Sequence, residues 1–216
     1  MQLKTFFMLI LAASLAACAG RTTVNGSWEQ GVTKNQKFSD VLVITLARDS
    51  SRRQQFEDEM INNLSGTRTR ATAGTDLIDP STKITREMVE GLVTEHRFDA
   101  VIVSSVKEQV VVPKEITSKT DAKNYRSTGQ SYGTFGEADR TFNFVQYDYK
   151  DEIDTKDYVV AKYTLILTTE VYETSDGKMV YTATSTAENQ TDPSKMINSL
   201  AKKTSRQLRR SQVVNQ

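Results

Sequence analysis

The chain has 216 residues, a quarter of them charged, with 28 Lys and Arg against 27 Asp and Glu. This balance excludes the strongly basic surface with which proteins hold the phosphates of nucleic acids, so we expect no nucleic-acid partner. A single cysteine and a single histidine exclude a disulfide framework and a zinc site built from Cys and His.

The first 17 residues have the layout of a secretory signal peptide. Lys4 precedes an apolar run from Phe6 to Leu11, and small residues follow as far as Ala17. The apolar part is shorter than the ~20 residues that a membrane-spanning helix needs. Removal of residues 1–17 leaves 199 residues in which basic and acidic side chains balance. This is enough for one domain with a real core.

Leu15-Ala16-Ala17-Cys18 resembles the lipobox of bacterial lipoproteins, and Cys18 is the one cysteine of the chain. The resemblance implies that the Cys18 thiol receives a diacylglycerol, that the chain is cut before it, and that the new N-terminus is acylated. Ala19 stands where an inner-membrane retention aspartate would be, which implies lipid anchoring at the outer membrane, facing the periplasm. The alternative is an ordinary signal or anchor in which Cys18 is a small apolar residue.

Residues 18–38 are polar and aperiodic, which predicts a flexible lipid-anchored tether with Trp28 as a candidate contact. A single α/β domain is predicted over 39–212. It begins with a strand, helix, strand, helix and strand, a spacing that predicts parallel pairing. These elements are a buried strand at 40–47, a helix with N-cap oxygens from Asp49, Ser50 or Ser51, an edge strand at 67–73, a helix capped by Thr85, and a strand from 99 to Pro113.

The pattern breaks over residues 114–157, which are polar, charged and aromatic. A stretch of this length without clear structure is uncommon inside a domain. We interpret it as an excursion that either contacts a partner or packs as an extra hairpin on the sheet, with 141–149 as a candidate edge strand. Strand patterns return at 158–173 and 179–187, joined by Asp176-Gly177, a strong hairpin signal. Asp192 and Pro193 then begin a last helix.

This order predicts an α/β fold (α+β-like) with two or three layers around a mixed sheet. Its elements are β-α-β-α-β, then an antiparallel β-hairpin and a C-terminal helix. The arrangement resembles envelope lipoproteins such as the activators of penicillin-binding proteins and the core of the curli-secretion lipoprotein. The likeness covers about 40–112 and 158–210 and is architectural, so it transfers no partner-binding residue.

The stretch Gly129-Gln-Ser-Tyr-Gly133 matches the G-x-S-x-G of a hydrolase nucleophile elbow, with Ser131 as the nucleophile. An elbow needs a buried strand before it and a helix after it, and the flanking sequence predicts neither. The one histidine, His96, precedes Ser131, whereas hydrolases of that fold place it later. In the last turn of its helix His96 complements the helix dipole. We therefore expect no catalytic residues and a protein that is not an enzyme.

Two charged segments are candidate sites. The acidic cluster Asp148, Asp151, Glu152, Asp154 and Asp157 lacks EF-hand spacing, so we expect a solvated loop and no metal or cofactor. The last helix carries six cations and no acid, which suits anionic headgroups or an acidic partner, or complements the helix dipole. These cations are Lys195, Lys202, Lys203, Arg206, Arg209 and Arg210.

The leading hypothesis is a lipid-anchored, periplasm-facing lipoprotein that acts as a non-enzymatic binding or assembly factor for another envelope protein. The only residue assigned a definite chemical role is Cys18, as the lipid attachment site. The alternative is a structural subunit of an oligomeric secretion or surface assembly. A third hypothesis, an envelope serine hydrolase, depends on Ser131 and His96.

Overall fold

The computed structural model describes residues 20–32, 34, 37–79, 81–113, 125–128 and 160–215. Its helices are α1 (Ser50–Leu64), α2 (Arg86–His96) and α3 (Pro193–Arg210), with a short 3-10 helix at Gly74–Asp76. Its strands are β1 (Arg21–Trp28), β2 (Asp40–Leu46), β3 (Arg70–Ala73), β4 (Ala100–Pro113), β5 (Tyr125–Thr128), β6 (Val160–Glu173) and β7 (Met179–Gln190). They form one sheet in the order β1-β7-β6-β4-β2-β3, with β5 paired to β4.

One half of the sheet is parallel. β2 pairs in parallel with β3 on one side and with β4 on the other. Parallel neighbours need a crossover, and α1 and α2 supply the two connections. Both helices begin at side-chain caps, because Asp49 accepts from the Arg52 N–H at 3.0 Å and Thr85 from the Met88 N–H at 3.4 Å. The predicted β-α-β-α-β unit is therefore confirmed, with β3 at the edge.

The other half of the sheet is antiparallel, through β4, β6, β7 and β1. Gly177 turns the predicted hairpin with a φ of 69°, a left-handed conformation that glycine adopts without steric cost. Asp176 accepts a 3.0 Å hydrogen bond from the Lys178 N–H across the same turn. Asp192 caps α3 by accepting from the Lys195 N–H at 3.1 Å, and Pro193 occupies the first turn. The hairpin and the last helix are thus confirmed.

Two apolar clusters lie on opposite faces of the sheet. On one face α1 and α3 pack side by side, and their apolar residues meet alternate residues of the strands, from Val41 to Ala187. On the other face α2 packs Val89 against Leu42, Ile44 and Val101. The predicted fold class is confirmed, and the protein has a three-layer arrangement over β2 and β4.

The predicted tether over 18–38 is wrong for its folded part. Arg21–Trp28 is a strand that pairs residue by residue with β7, from Arg21 opposite Glu188 to Trp28 opposite Tyr181. Phe38 is 3% exposed and bridges Val214. Its inward positions alternate Val24 and Trp28 with Thr22 and Gly26, so the apolar pattern of the strand is weak, yet its backbone completes the edge of the sheet.

Within the excursion at 114–157 the structure describes β5 alone. Tyr125–Thr128 pairs antiparallel with Glu108–Val111 of β4, which β6 pairs on its other side. β5 therefore continues the sheet beyond the end of β2, as a strand that the polar sequence did not predict. The remainder of the excursion, with the candidate edge strand at 141–149, lies outside the described residues.

Candidate functional site

Most of the residues singled out for chemistry lie outside the described part of the chain. These are Cys18 with its lipobox, Ser131 with its glycines, and the acidic cluster between Asp148 and Asp157. His96 is described, and it ends α2 as predicted, half-buried, with its ring centroid 5.6 Å from that of Phe98. Across the described ranges no group of three or more His, Cys, Asp or Glu side chains is placed to hold a metal ion.

An apolar groove opens where the first turns of α1 and α3 meet the sheet. Its cavity volume is about 60 Å³, room for a small apolar group. The elements that build it, from β2 and α1 to β6 and α3, lie more than a hundred residues apart in the sequence. Its apolar walls are formed by Phe56, Leu165, Leu167, Met196, Ile197 and Leu200.

Three polar side chains interrupt the apolar lining. Arg52 stands at the mouth, 3.3 Å from the Asp49 carboxylate. Gln109 is 8% exposed, and Thr45 is 6% exposed. The Thr45 hydroxyl has no hydrogen-bond partner within the described structure, although a buried polar group normally has one. The groove therefore combines apolar walls with an unsatisfied hydroxyl, the composition of a ligand-binding cleft.

A buried carboxyl group supports the wall of this groove. Glu57 is fully buried in α1, where its Oε1 accepts a 2.7 Å hydrogen bond from the Thr45 N–H and its Oε2 a 2.8 Å bond from the Thr75 N–H. Burial raises the pKa of Glu57 to about 7, although both N–H groups and the Arg53 charge act in the opposite direction. A pKa near neutrality is common at active sites. Here both oxygens are held by backbone and inaccessible, so Glu57 positions the end of β2.

A second surface is the sheet face opposite α1 and α3, along the middle of β7 and β1. Thr182, Thr184 and Thr186 alternate along β7, with Thr23 opposite Thr186 and Ser27 opposite Thr182. Thr184 and Ser27 are exposed and the others are half-buried. In the described ranges no helix packs on this part of the sheet. The result is a flat hydroxyl-rich face without convergent charged groups.

The cations of α3 divide into two groups. Arg209 donates from Nη2 to the Leu64 and Ser65 carbonyls at 3.0 and 3.2 Å, so it satisfies the C-terminal end of α1. Lys203 donates to the Thr22 carbonyl of β1. The remaining four, Lys195, Lys202, Arg206 and Arg210, point away from the sheet.

β1 is fixed to α3 and β7 by side chains as well as by its backbone. The Trp28 ring meets Tyr181 edge-on, with centroids 5.6 Å apart, and its Nε1 donates to the Ser211 carbonyl at 3.1 Å. The Tyr181 hydroxyl lies 2.9 Å from the Ser211 Oγ. Trp28 was predicted as a contact of a tether and instead anchors an edge strand.

No helix in the described part of the chain is long and apolar enough to cross a membrane. No protein-family model matches the sequence, and no curated protein does. Among solved structures, the PelC dodecamer from Paraburkholderia phytofirmans in space group P6 is similar to this chain, with 13% identity and a TM-score of 0.45. A point variant of that dodecamer in space group C2 has 13% identity and a TM-score of 0.46. Each alignment covers 91% of this chain and 100% of the PelC chain. Because both TM-scores are below 0.5, we base the function on the residues of this chain.

Sequence reasoning missed the groove and Glu57. The groove joins residues of β2, β4, β6 and two helices, and no local motif records such a meeting. Glu57 did leave a signal, because it falls among Phe56, Met60 and Leu64 on the apolar side of α1. A carboxylate on that side indicates either a partner or a raised pKa, and Glu57 has both.

Proposed function

We propose that the protein is a lipid-anchored, periplasm-facing lipoprotein of the outer membrane that binds another envelope protein without catalysing a reaction. The anchor is the Cys18 thioether, inferred from the lipobox. One acyl chain binds a membrane marginally, whereas the three of a mature lipoprotein hold firmly. No apolar surface of the domain is then needed for attachment.

The observation that carries the binding role is the apolar groove. Water is expelled favourably from such a surface when an apolar group enters it, by about 25 cal/mol per Å² of apolar area. The Gln109 amide, 8% exposed within the lining, provides hydrogen bonds that fix the orientation of the partner. A partner could place an apolar side chain against the apolar walls and hydrogen-bond a neighbouring peptide group to the polar lining.

The position of the groove suits a partner in or near the same membrane. Tyr163 of its lining pairs with Gln190 in the β6–β7 ladder, and the Gln190 side chain packs on Gly20. Tyr163 and Gly20 are therefore separated by two strand spacings, about 10 Å. The groove therefore opens close to where the chain leaves the proposed anchor at Cys18.

A non-enzymatic role is supported by how the polar groups are distributed. His96 ends α2, on the opposite face of the sheet from the groove. The polar residues of the groove are a threonine, a glutamine and an arginine, which include no base able to activate the Thr45 hydroxyl.

The test is photocrosslinking in living cells with a benzophenone amino acid at Ala47 or Ser194, beside the groove. Thr184, exposed on the opposite sheet face, is the matched control position. We expect one envelope protein to be captured from Ala47 and Ser194 and not from Thr184. Ala47→Trp, which fills the mouth of the groove, should abolish capture from Ser194.

Other results would contradict this proposal. Capture from Thr184 alone would place the binding surface on the hydroxyl-rich face. Products that contain only this chain, unchanged by Ala47→Trp, would favour the structural subunit of an oligomeric assembly. The proposed lipid anchor would be refuted if the wild-type protein did not associate with membranes. It would also be refuted if the Cys18→Ser protein still did so after signal cleavage.

A further inference from the structure

Four cations of α3 form an exposed stripe along the helix. Lys195, Lys202, Arg206 and Arg210 lie opposite the buried residues of α3, from Met196 to Leu208. From the first to the last of them the helix rises 15 residue steps, or about 22 Å. Lys195 lies 3.7 Å from the exposed Asp192 carboxylate, and the other three have no ion-pair partner within the described residues.

The helix dipole does not account for this stripe. A dipole favours cations only within the last turn, which here holds Arg209 and Arg210. Lys202 lies two turns earlier, and Lys195 stands in the first turn, where the dipole disfavours a cation. Arg209 and Lys203 have structural contacts, so the stripe consists of the cations that folding does not use.

The stripe lies beside the strand that leads to the lipid. Ser199 Oγ donates to Thr22 Oγ1 at 2.9 Å, and Trp28 Nε1 donates to the Ser211 carbonyl at 3.1 Å. β1 and α3 therefore run alongside each other over the whole strand. β1 begins three residues after Cys18, a distance of at most ~10 Å. A lipid on Cys18 would hold α3 close to the membrane surface.

Charge is segregated in the domain. The residues after the signal peptide are balanced in charge, so the six cations of α3 leave an acidic excess elsewhere. The acids on the opposite sheet face include Glu170 and Glu188. Membrane surfaces with anionic lipids attract such a stripe over a Debye length of about 8 Å at physiological ionic strength.

We propose that the stripe of Lys195, Lys202, Arg206 and Arg210 rests on anionic phospholipid headgroups of the membrane that holds the lipid of Cys18. This inference depends on the lipid anchor of the proposed function. Anchor and stripe together fix the orientation of the domain, with α3 towards the bilayer and the hydroxyl-rich sheet face away from it. We assign a lipid surface as the binding partner of the stripe, because the stripe lies close to the anchor and therefore close to the headgroups.

The test uses the lipidated full-length mature protein in vesicles. Lipidation occupies Cys18, so Lys202→Cys provides a single free thiol for a fluorophore on the stripe, and Thr184→Cys provides the control label. Quenching by a spin-labelled headgroup is measured in vesicles of phosphatidylcholine with and without phosphatidylglycerol. We expect several-fold stronger quenching at position 202 with phosphatidylglycerol, and weak quenching at position 184 in both.

Salt and charge variants test the electrostatic origin. Raising the ionic strength from 0.1 to 1 M shortens the Debye length from about 10 to about 3 Å and should remove the difference between the two vesicles. Lys195→Gln/Arg206→Gln/Arg210→Gln should remove it at low salt. The matched control, Arg97→Gln/Lys107→Gln/Lys178→Gln, changes the same charge elsewhere and should leave the difference intact.

The outcomes separate the two proposals. If the protein does not float with neutral vesicles, the lipid anchor of the proposed function fails. If it floats but quenching at position 202 is independent of lipid charge, the anchor holds and the headgroup contact is refuted. Stronger quenching at position 184 than at 202 would also refute it, because the domain would then face the membrane with its other side.

Discussion

The Glu57 carboxylate and the Thr45 backbone N–H are joined by a 2.7 Å hydrogen bond at the end of β2. The same carboxylate accepts from the Thr75 N–H, so one buried side chain holds the end of β2 to the turn that follows β3. The Thr45 hydroxyl on that backbone lines the groove. The shape of the groove therefore depends on a group whose pKa of about 7 lies within the physiological range.

Stability should decrease as pH rises from about 4.5 to 7. Over this range the unfolded chain releases the Glu57 proton while the folded chain retains it, so folding is favoured below pH 4.5 and the contribution is lost through pH 7. The difference corresponds to on the order of 3 kcal/mol. Urea denaturation of wild type and Glu57→Gln at pH 5 and pH 8 measures it.

Glu57→Gln should be less stable at both pH values, because its amide NH₂ faces a backbone donor, but its stability should change less between them. Asp99 and Glu170, whose pKa values burial also raises, remain in both proteins and cancel in the comparison. An equal pH dependence in the two proteins would show that Glu57 does not titrate in this range.

The buried pair Ser185 and Thr204 should behave as a unit. Their hydroxyl oxygens lie 2.6 Å apart, both fully buried between β7 and α3. Thr204→Val keeps the shape and leaves the Ser185 hydroxyl unsatisfied, so it should cost about 1–3 kcal/mol. Adding Ser185→Ala should recover part of that loss. Additive effects of the two substitutions in urea denaturation would disprove the coupling.

Gly26 and Gly91 should respond to alanine with opposite signs. A Cβ at Gly26 would lie 2.7 Å from the Tyr181 ring carbon Cζ and 3.0 Å from the Ala183 Cβ, whereas at Gly91 it would meet nothing within 4 Å. Gly26→Ala should destabilise by about 1–3 kcal/mol by overpacking. Gly91→Ala, inside α2, should stabilise by up to about 1 kcal/mol. Thermal denaturation of the two variants gives both signs, and a neutral Gly26→Ala would mean that β1 is loosely held.

Arg209 and its neighbour Arg210 should differ in their effect on stability. Arg209→Gln removes a charged donor from the Leu64 and Ser65 carbonyls and should cost about 1.5 kcal/mol or more. Arg210→Gln removes an exposed cation and should change stability by less than about 0.5 kcal/mol. Equal losses would indicate that general charge, rather than the cap on α1, determines the effect.

The elements that the sequence predicts well are those with local signals. Asp49, Thr85 and Asp192 mark the three helix starts. In each case the side-chain oxygen accepts a hydrogen bond from a backbone N–H of the first turn, so the residue seen in the sequence is the one that begins the helix. Gly177 marks the hairpin for an equally local reason. These interactions lie within four residues of each other in the sequence, so the elements can be predicted without knowledge of the fold.

β1 and the groove could not be predicted in this way. The inward residues of β1 include Thr22 and Gly26, which suit the sheet only because Ser199 hydrogen-bonds Thr22 and the Tyr181 side chain covers Gly26. Both partners lie more than 150 residues further along the chain. The groove likewise exists only after α1 and α3 have packed together, so its residues carry no common pattern in the sequence.

The pairing of β1 with β7 also determines when this sheet can be completed during biogenesis. A chain delivered from its N-terminus presents β1 first, but Arg21–Trp28 has no backbone partner until residues up to 188 have arrived. Ser211, which holds Trp28, arrives later still. The edge strand nearest to Cys18 therefore pairs last. Its contacts join residues far apart in the sequence, and such contacts form slowly. Until then β1 is an unpaired strand that a chaperone or a second copy of the chain could pair with.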